Sequence, residues 1–173
     1  ETFAGDGFAE AGQWVNSGET GAGLVEINLP PGITGRLFRS PMPGRWDWDL
    51  RRAERQINGQ AVDLVVSLAG VRETREFAPR YARLIDDEDL PWEMWALPIA
   101  DGGVPEDEEE FIDLARDIAD ELRGGVNVLI HCYAGIGRTG TPAIATLMAL
   151  GVPPDKARRV VEDAGAGPES YAQ

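Results

Sequence analysis

Two short β-branched runs, Val62 to Leu68 (VDLVVSL) and Val126 to Ile130 (VNVLI), constrain the fold more than anything else in the chain. Each is nearly all apolar rather than alternating, so each reads as a strand buried on both faces. Between them the pattern turns helical. Glu73 to Ile85 has helical spacing interrupted by Pro79, which predicts two short pieces. Trp92 to Ile99 holds a short strand ending at Pro98. Pro105 is expected to open the next helix, where its missing N–H is harmless. Phe111, Ala115, Ile118 and Leu122 then fall three or four apart on one face, and Gly124-Gly125 closes the helix. Strands alternating with helices imply right-handed crossovers. The expected fold is a single-domain α/β architecture with a mostly parallel central sheet of four or five strands and helices on both faces.

The flanks extend this pattern. Gly23 to Leu29 reads as a strand ended by Pro30-Pro31-Gly32. Arg36 to Arg39 reads as a second short strand, with Ser40 to Gly44 as its exit loop. Trp48 to Ile57 is helical and stops at Asn58-Gly59. Two further helices are expected, from Arg138 to Leu150 and from Pro154 to Ala164. Residues 1–22 read as an N-terminal extension with Phe3, Phe8 and Trp14 as apolar anchors, and residues 23–173 as the domain.

Composition narrows the function classes. A net charge of −14 repels nucleic acid phosphates and anionic lipid, so neither nucleic acid nor membrane is an expected partner. Arg51-Arg52 and Arg158-Arg159 sit on amphipathic helices as solvated faces. One cysteine makes no internal disulfide and one histidine builds no His-rich metal site, so no metal and no cofactor are expected. No apolar run approaches the roughly 20 residues of a membrane helix. Glu1 to Gly12 has neither the basic start nor the apolar stretch of a signal peptide. A cytoplasmic monomer is the default expectation.

The stretch from His131 to Gly140 (HCYAGIGRTG) carries the chemistry. It follows a buried strand and opens a helix, where a doubly wound sheet places its ligand. Tyr133, Ala134, Gly135, Ile136 and Gly137 separate Cys132 from Arg138. A loop this short curls so that its backbone N–H groups converge, and the positive end of the following helix reinforces them. Arg138 adds a guanidinium able to grip two oxygens of one tetrahedral anion. The same field favours the thiolate of Cys132 and makes it a nucleophile at neutral pH. Taken alone, a cysteine at a strand end is usually a small buried hydrophobe. The downstream Gly-x-x-Arg-Thr-Gly reverses that reading.

The stretch resembles the HCxxGxxR[ST]G signature of the cysteine-dependent protein tyrosine phosphatases and matches every fixed position. Leu97 to Pro105 (LPIADGGVP) resembles the general-acid loop of the dual-specificity branch, and with HCYAGIGRTG it is most similar to the cyclin-dependent-kinase-associated phosphatase group. The resemblance covers about Gly35 to Gln173. It implies metal-independent hydrolysis of phosphotyrosine, with phosphoserine and phosphothreonine as further substrates, through a cysteinyl-phosphate. Cys132 is then the nucleophile, the amides of residues 133 to 138 and Arg138 bind phosphate, and Asp101 is the general acid, with Gly102-Gly103 freeing its loop to close.

Other residues keep a bland reading beside the functional one. Asp101 by itself starts a turn as readily as it donates a proton. Asp107 competes for the acid role, yet Glu106 to Glu110 read as first-turn acids on a helix dipole, and Asp86 to Asp89 as a solvated turn. Thr139 donates its hydroxyl to the Cys132 sulfur or is only a helix-start hydroxyl. His131 is expected to hydrogen-bond loop backbone without transferring protons. Ser40 and Pro43 fit the family's strand-exit pattern, and Gln173 a glutamine near the end of that domain. Tyr133, Ala134 and Ile136 carry no charge, which weakens a phosphoinositide reading. Three rivals stand: a pseudophosphatase that only reads phosphate, a phosphatase for a small-molecule or lipid phosphate, and sulfur transfer or arsenate reduction. The last fits poorly, since rhodanese-type loops are shorter and arsenate reduction recruits further cysteines.

Overall fold

The computed structural model describes residues 23–168. Five strands form one sheet: β1 (Val25–Ile27), β2 (Leu37–Ser40), β3 (Leu64–Ser67), β4 (Glu93–Ala96) and β5 (Val128–His131). Their order is β1-β2-β5-β3-β4, with β1 antiparallel to β2 and every other pair parallel. The two β-branched runs of the sequence therefore lie side by side, β5 at the centre and β3 next to it. The helices are α1 (Leu50–Gly59), α2 (Val71–Phe77), α3 (Pro79–Asp86), α4 (Glu108–Arg123), α5 (Gly137–Ala149) and α6 (Pro154–Asp163).

Strand alternation sorts the core into two layers. Leu37, Leu64, Val66, Val128 and Ile130 face one side, where α4, α5 and α6 deliver Ile118, Leu122, Leu147 and Val161. Phe38, Val65 and Leu129 face the other, against Ile57 of α1, Tyr81 of α3 and the buried ring of Trp48. Both faces of β3 and β5 are thus covered, which is why their sequences do not alternate.

Most boundaries match the sequence reading, including the split at Pro79, which is the first residue of α3. Two starts differ. Pro105 does not open α4: Asp107 caps it by accepting the Glu110 N–H at 3.0 Å, so the helix begins at Glu108 with three acids in its first turn. A side-chain cap satisfies an orphan N–H that a proline merely lacks. Likewise α1 begins at Leu50 under an Asp49 cap, and Trp48 instead donates its Nε1–H to Gln56 at 3.1 Å. Among the described residues no helix is long and apolar enough to cross a membrane. Phe3, Phe8, Trp14 and Gln173 lie outside the described residues.

Candidate active site

At their carboxyl ends β2, β5 and β3 finish in register, Ser40 and Ser67 flanking His131. The chain leaves β5 there, turns through residues 132–136 and enters α5. Cys132 is buried, and its Sγ accepts the Gly135 N–H at 3.2 Å. Gly135 has φ +76, and a Cβ there would overlap the Ser40 carbonyl, so both backbone shape and space demand glycine. The Tyr133 carbonyl accepts from Met42 N at 3.0 Å and from Arg45 Nη1 at 3.2 Å. The Tyr133 ring packs 4.8 Å from Phe77, with the Arg45 guanidinium 4.9 Å from its centroid. The Ile136 carbonyl accepts from Gly140 and from Gly167. No side chain caps α5, so the N–H groups of its first turn, from Gly137 onward, are the donors an anion at this loop meets.

Arg138 lies in that first turn with its side chain 1% exposed. Its Nη1 and Nη2 donate to the two Glu73 oxygens at 2.8 and 2.7 Å, and Nη1 also donates to the Ile99 carbonyl at 3.0 Å. A guanidinium has five N–H groups. Three are engaged here, and the Nε–H and one Nη2–H that remain share a single edge of the plane. The protein thus grips one edge of the fork and leaves the other for two oxygens of an anion. Among the described residues Nε has no hydrogen-bond partner, and the Asp101 carboxylate stands 3.7 Å from it. Burial alone would lower the Arg138 pKa, but the Glu73 hydrogen bonds and the charges of Cys132, Glu73 and Asp101 raise it.

Asp101 follows β4 in a turn whose Gly102 has φ +70, with its side chain 83% exposed. The topology therefore brings the predicted acid to the open edge of the arginine. Asp107 is occupied as the α4 cap and Asp86 pairs with Arg75 at 3.2 Å, so neither reaches the loop. Thr139 is buried next to Arg138, and its hydroxyl has no hydrogen-bond partner among the described residues. The bond to sulfur anticipated from the sequence is not made; the sulfur takes its hydrogen bond from Gly135. Ala134 is half-buried and Ile136 sits at the exposed rim. Among the described residues no group of three or more His, Cys, Asp and Glu side chains is placed to hold a metal ion.

His131 is buried between the loop and α3. Its Nδ1 lies 3.0 Å from the Cys132 carbonyl and its Nε2 3.0 Å from the Tyr81 hydroxyl. A carbonyl only accepts, so Nδ1 carries the proton and Nε2 accepts from Tyr81. Burial, helped by the Arg138 charge, pulls the His131 pKa down to about 4, against the opposing pull of the Cys132 carbonyl and Glu73. The ring is neutral at pH 7 and works as a strut. Burial likewise pushes the Tyr81 hydroxyl pKa upward.

Two residues escaped the sequence reading. Glu73 lay within a segment read only as helical, and its position in the first turn of α2, after the strand neighbouring β5, carries the only hint of its partner. Arg39 reaches from β2 to the Gly135 carbonyl at 3.3 Å and to the Ala164 carbonyl, joining the loop to the end of α6. Burial lowers its pKa while the Cys132 charge opposes that shift. Its signal was an arginine in a strand whose every residue is buried. Gly165, at φ +78, leaves the space its guanidinium fills.

Comparison with known proteins follows the same lines. The fold superposes on kinase associated phosphatase, solved with its catalytic-site cysteine replaced by serine, at a TM-score of 0.74, 19% identity, and 89% and 90% coverage of the two chains. It superposes on the active form of Tk-PTP at 0.61, 30% identity, and 81% and 87% coverage. A stretch of 67 residues is 37% identical to Tyrosine-protein phosphatase 1 of Caenorhabditis elegans; it is 38% of this chain and only 6% of that relative's length. The family model described as "Polymorphic toxin system, DSP-PTPase phosphatase" matches residues 53–152, from α1 through β5 and the phosphate loop to the end of α5. The chain belongs to this family of dual-specificity-type, cysteine-based phosphatases.

Proposed function

We propose that the chain hydrolyses phosphomonoesters of proteins, phosphotyrosine first and phosphoserine or phosphothreonine as well, in two steps that need no metal. The Cys132 thiolate attacks phosphorus in line. The amides of residues 133 to 138 and the open edge of Arg138 hold the equatorial oxygens, and Asp101 moves from that edge to protonate the leaving oxygen as its bond to phosphorus breaks. The product is a cysteinyl-phosphate and a free alcohol or phenol. Water then attacks phosphorus, Asp101 takes its proton, and the P–S bond breaks to regenerate the thiolate and release phosphate. Thr139, whose hydroxyl is committed to no other partner among the described residues, donates to the departing sulfur in this second step.

The observation that carries this reading is the division of Arg138 between protein and ligand. Glu73 and Ile99 hold one edge while the Nε edge is left without a hydrogen bond, beside a sulfur already accepting an amide. An electrostatic cradle of this kind supplies the largest share of such catalysis. The uncharged Tyr133, Ala134 and Ile136 speak against a phosphoinositide substrate. A phosphate reader without turnover has no use for Asp101 and Thr139. Cytoplasmic location, a monomeric state and a division into an N-terminal extension, residues 1–22, and the phosphatase domain, residues 23–173, complete the proposal.

The test is turnover of p-nitrophenyl phosphate by the parent and by Cys132→Ser. The parent turns over, the variant does not, and the variant still binds inorganic phosphate. Equal turnover by both removes Cys132 from the mechanism; binding without turnover by the parent establishes the pseudophosphatase instead.

A further inference from the structure

Large apolar side chains are not scattered over this surface. Seven among the described residues are exposed, and five of them belong to the Cys132–Arg138 loop or to segments that bond, pack or pair with it: Trp46, Val71, Phe77, Val104 and Ile136. Ile136 belongs to the loop. Val71 opens α2 two residues before Glu73, which holds Arg138. Phe77 ends the same helix against the Tyr133 ring. Trp46, 84% exposed, follows Arg45, whose guanidinium holds the Tyr133 carbonyl. Val104 is carried by the Asp101 segment. Ile112 and Met148 are the two elsewhere, on α4 and α5.

Solitary exposed apolar residues need no explanation, but five carried by the segments that form or hold one anion cradle do. Whatever carries the phosphoryl group into the loop lies across this rim. Charge on it is of both signs: Arg72 and Glu76 share α2 with Val71 and Phe77, and Arg45 is paired with Asp47. No basic field draws in a polyanion, and the whole chain carries −14. An anionic membrane surface is repelled by that charge. A peptide segment with apolar side chains beside its phosphoresidue brings only the phosphate's own charge into that field and buries its apolar surface on the rim.

We propose that the rim of Trp46, Val71, Phe77, Val104 and Ile136 is a substrate-docking surface that selects phosphorylated protein segments whose phosphoresidue is flanked by apolar side chains. The proposal rests on the phosphatase reading above and adds the class of sequence it acts on. A small ester such as p-nitrophenyl phosphate reaches the cradle without covering the rim.

The experiment compares three phosphotyrosine peptides, identical but for two flanking residues on each side: Leu and Val, Ser, or Lys. Turnover is measured with the parent and with Trp46→Ser/Val71→Ser, both of whose changed side chains are exposed. We expect kcat/KM about tenfold higher for the apolar-flanked peptide than for the serine-flanked one. The double variant loses that preference while p-nitrophenyl phosphate turnover is unchanged. Equal use of the three peptides by the parent, an undiminished preference in the variant, or a preference for phosphoinositide in anionic vesicles over every peptide would each overturn the proposal. The same preference is read as binding affinity in Cys132→Ser. Absence of parent turnover on p-nitrophenyl phosphate therefore counts against the hydrolytic reading, while the rim is still decided by peptide binding.

Discussion

One buried side chain should make this fold weaken as pH falls. His131, the single histidine of the chain, is buried and neutral, with its pKa drawn from 6.5 down to about 4. In the unfolded chain the imidazole takes up a proton as pH falls below about 6.5, whereas the native ring stays neutral until pH nears 4. The unfolded state therefore binds more protons across that window, and stability falls as pH falls through it. These two values give a loss of about 2 kcal/mol between pH 7 and pH 5 from this group alone. Urea unfolding followed by tryptophan fluorescence at both pH values measures it, in the parent and in His131→Asn. The variant removes the imidazole acceptor, leaving the Tyr81 hydroxyl only the Met94 sulfur at 3.7 Å, and is less stable throughout by about 1–3 kcal/mol. Its stability should nevertheless change less with pH than the parent's, by that same 2 kcal/mol, because contributions from the carboxylates cancel in the difference. Parallel pH dependence in the two proteins would refute the assignment of a buried neutral strut.

Asp101→Asn should lower turnover of an alkyl phosphate about 10²–10⁴-fold and that of p-nitrophenyl phosphate much less, since the better leaving group needs less protonation. Equal losses would move the acid role elsewhere. Glu73→Gln frees the gripped edge of Arg138 and should cut kcat/KM about 100-fold, with phosphate affinity falling alongside, as misplacement of a positioning group does; retained affinity would contradict the divided fork. Arg39→Met removes a charge near the sulfur and should slow alkylation of the sole cysteine by iodoacetamide at pH 6 about tenfold, with partial recovery in Arg39→Lys. An unchanged rate in a folded Arg39→Met protein would confine Arg39 to packing. Asp107→Ala should lower stability by about 1 kcal/mol without changing turnover, since it only caps α4.

Hydrophobic pattern made the layers legible before any coordinates. The β3 and β5 runs lacked alternation because helices cover both their faces, and Gly135 marked a backbone bent beyond what a side chain allows. Arg138 and Cys132 were readable because their spacing on one short loop is itself the chemistry. Glu73 and Arg39 were not, because their roles depend on contacts far apart along the chain. Glu73 reaches Arg138 across two neighbouring strands, and Arg39 reaches Gly135 from the strand on the other side. Nothing local separates such residues from a dipole-complementing acid or a solvated base. Pro105 misled for a related reason: a proline tolerated at a helix start was outcompeted by Asp107, whose carboxylate makes a bond that the proline cannot.

The central claim is that phosphorus is bonded to the Cys132 sulfur midway through the reaction. Rapid acid quench of the enzyme turning over a phosphorylated substrate, followed by mass spectrometry of its peptides, tests this directly. The account predicts a phosphate on the peptide containing Cys132, absent when Cys132→Ser is treated identically. Turnover at the full rate with no phosphate on that peptide at any quench time would contradict it.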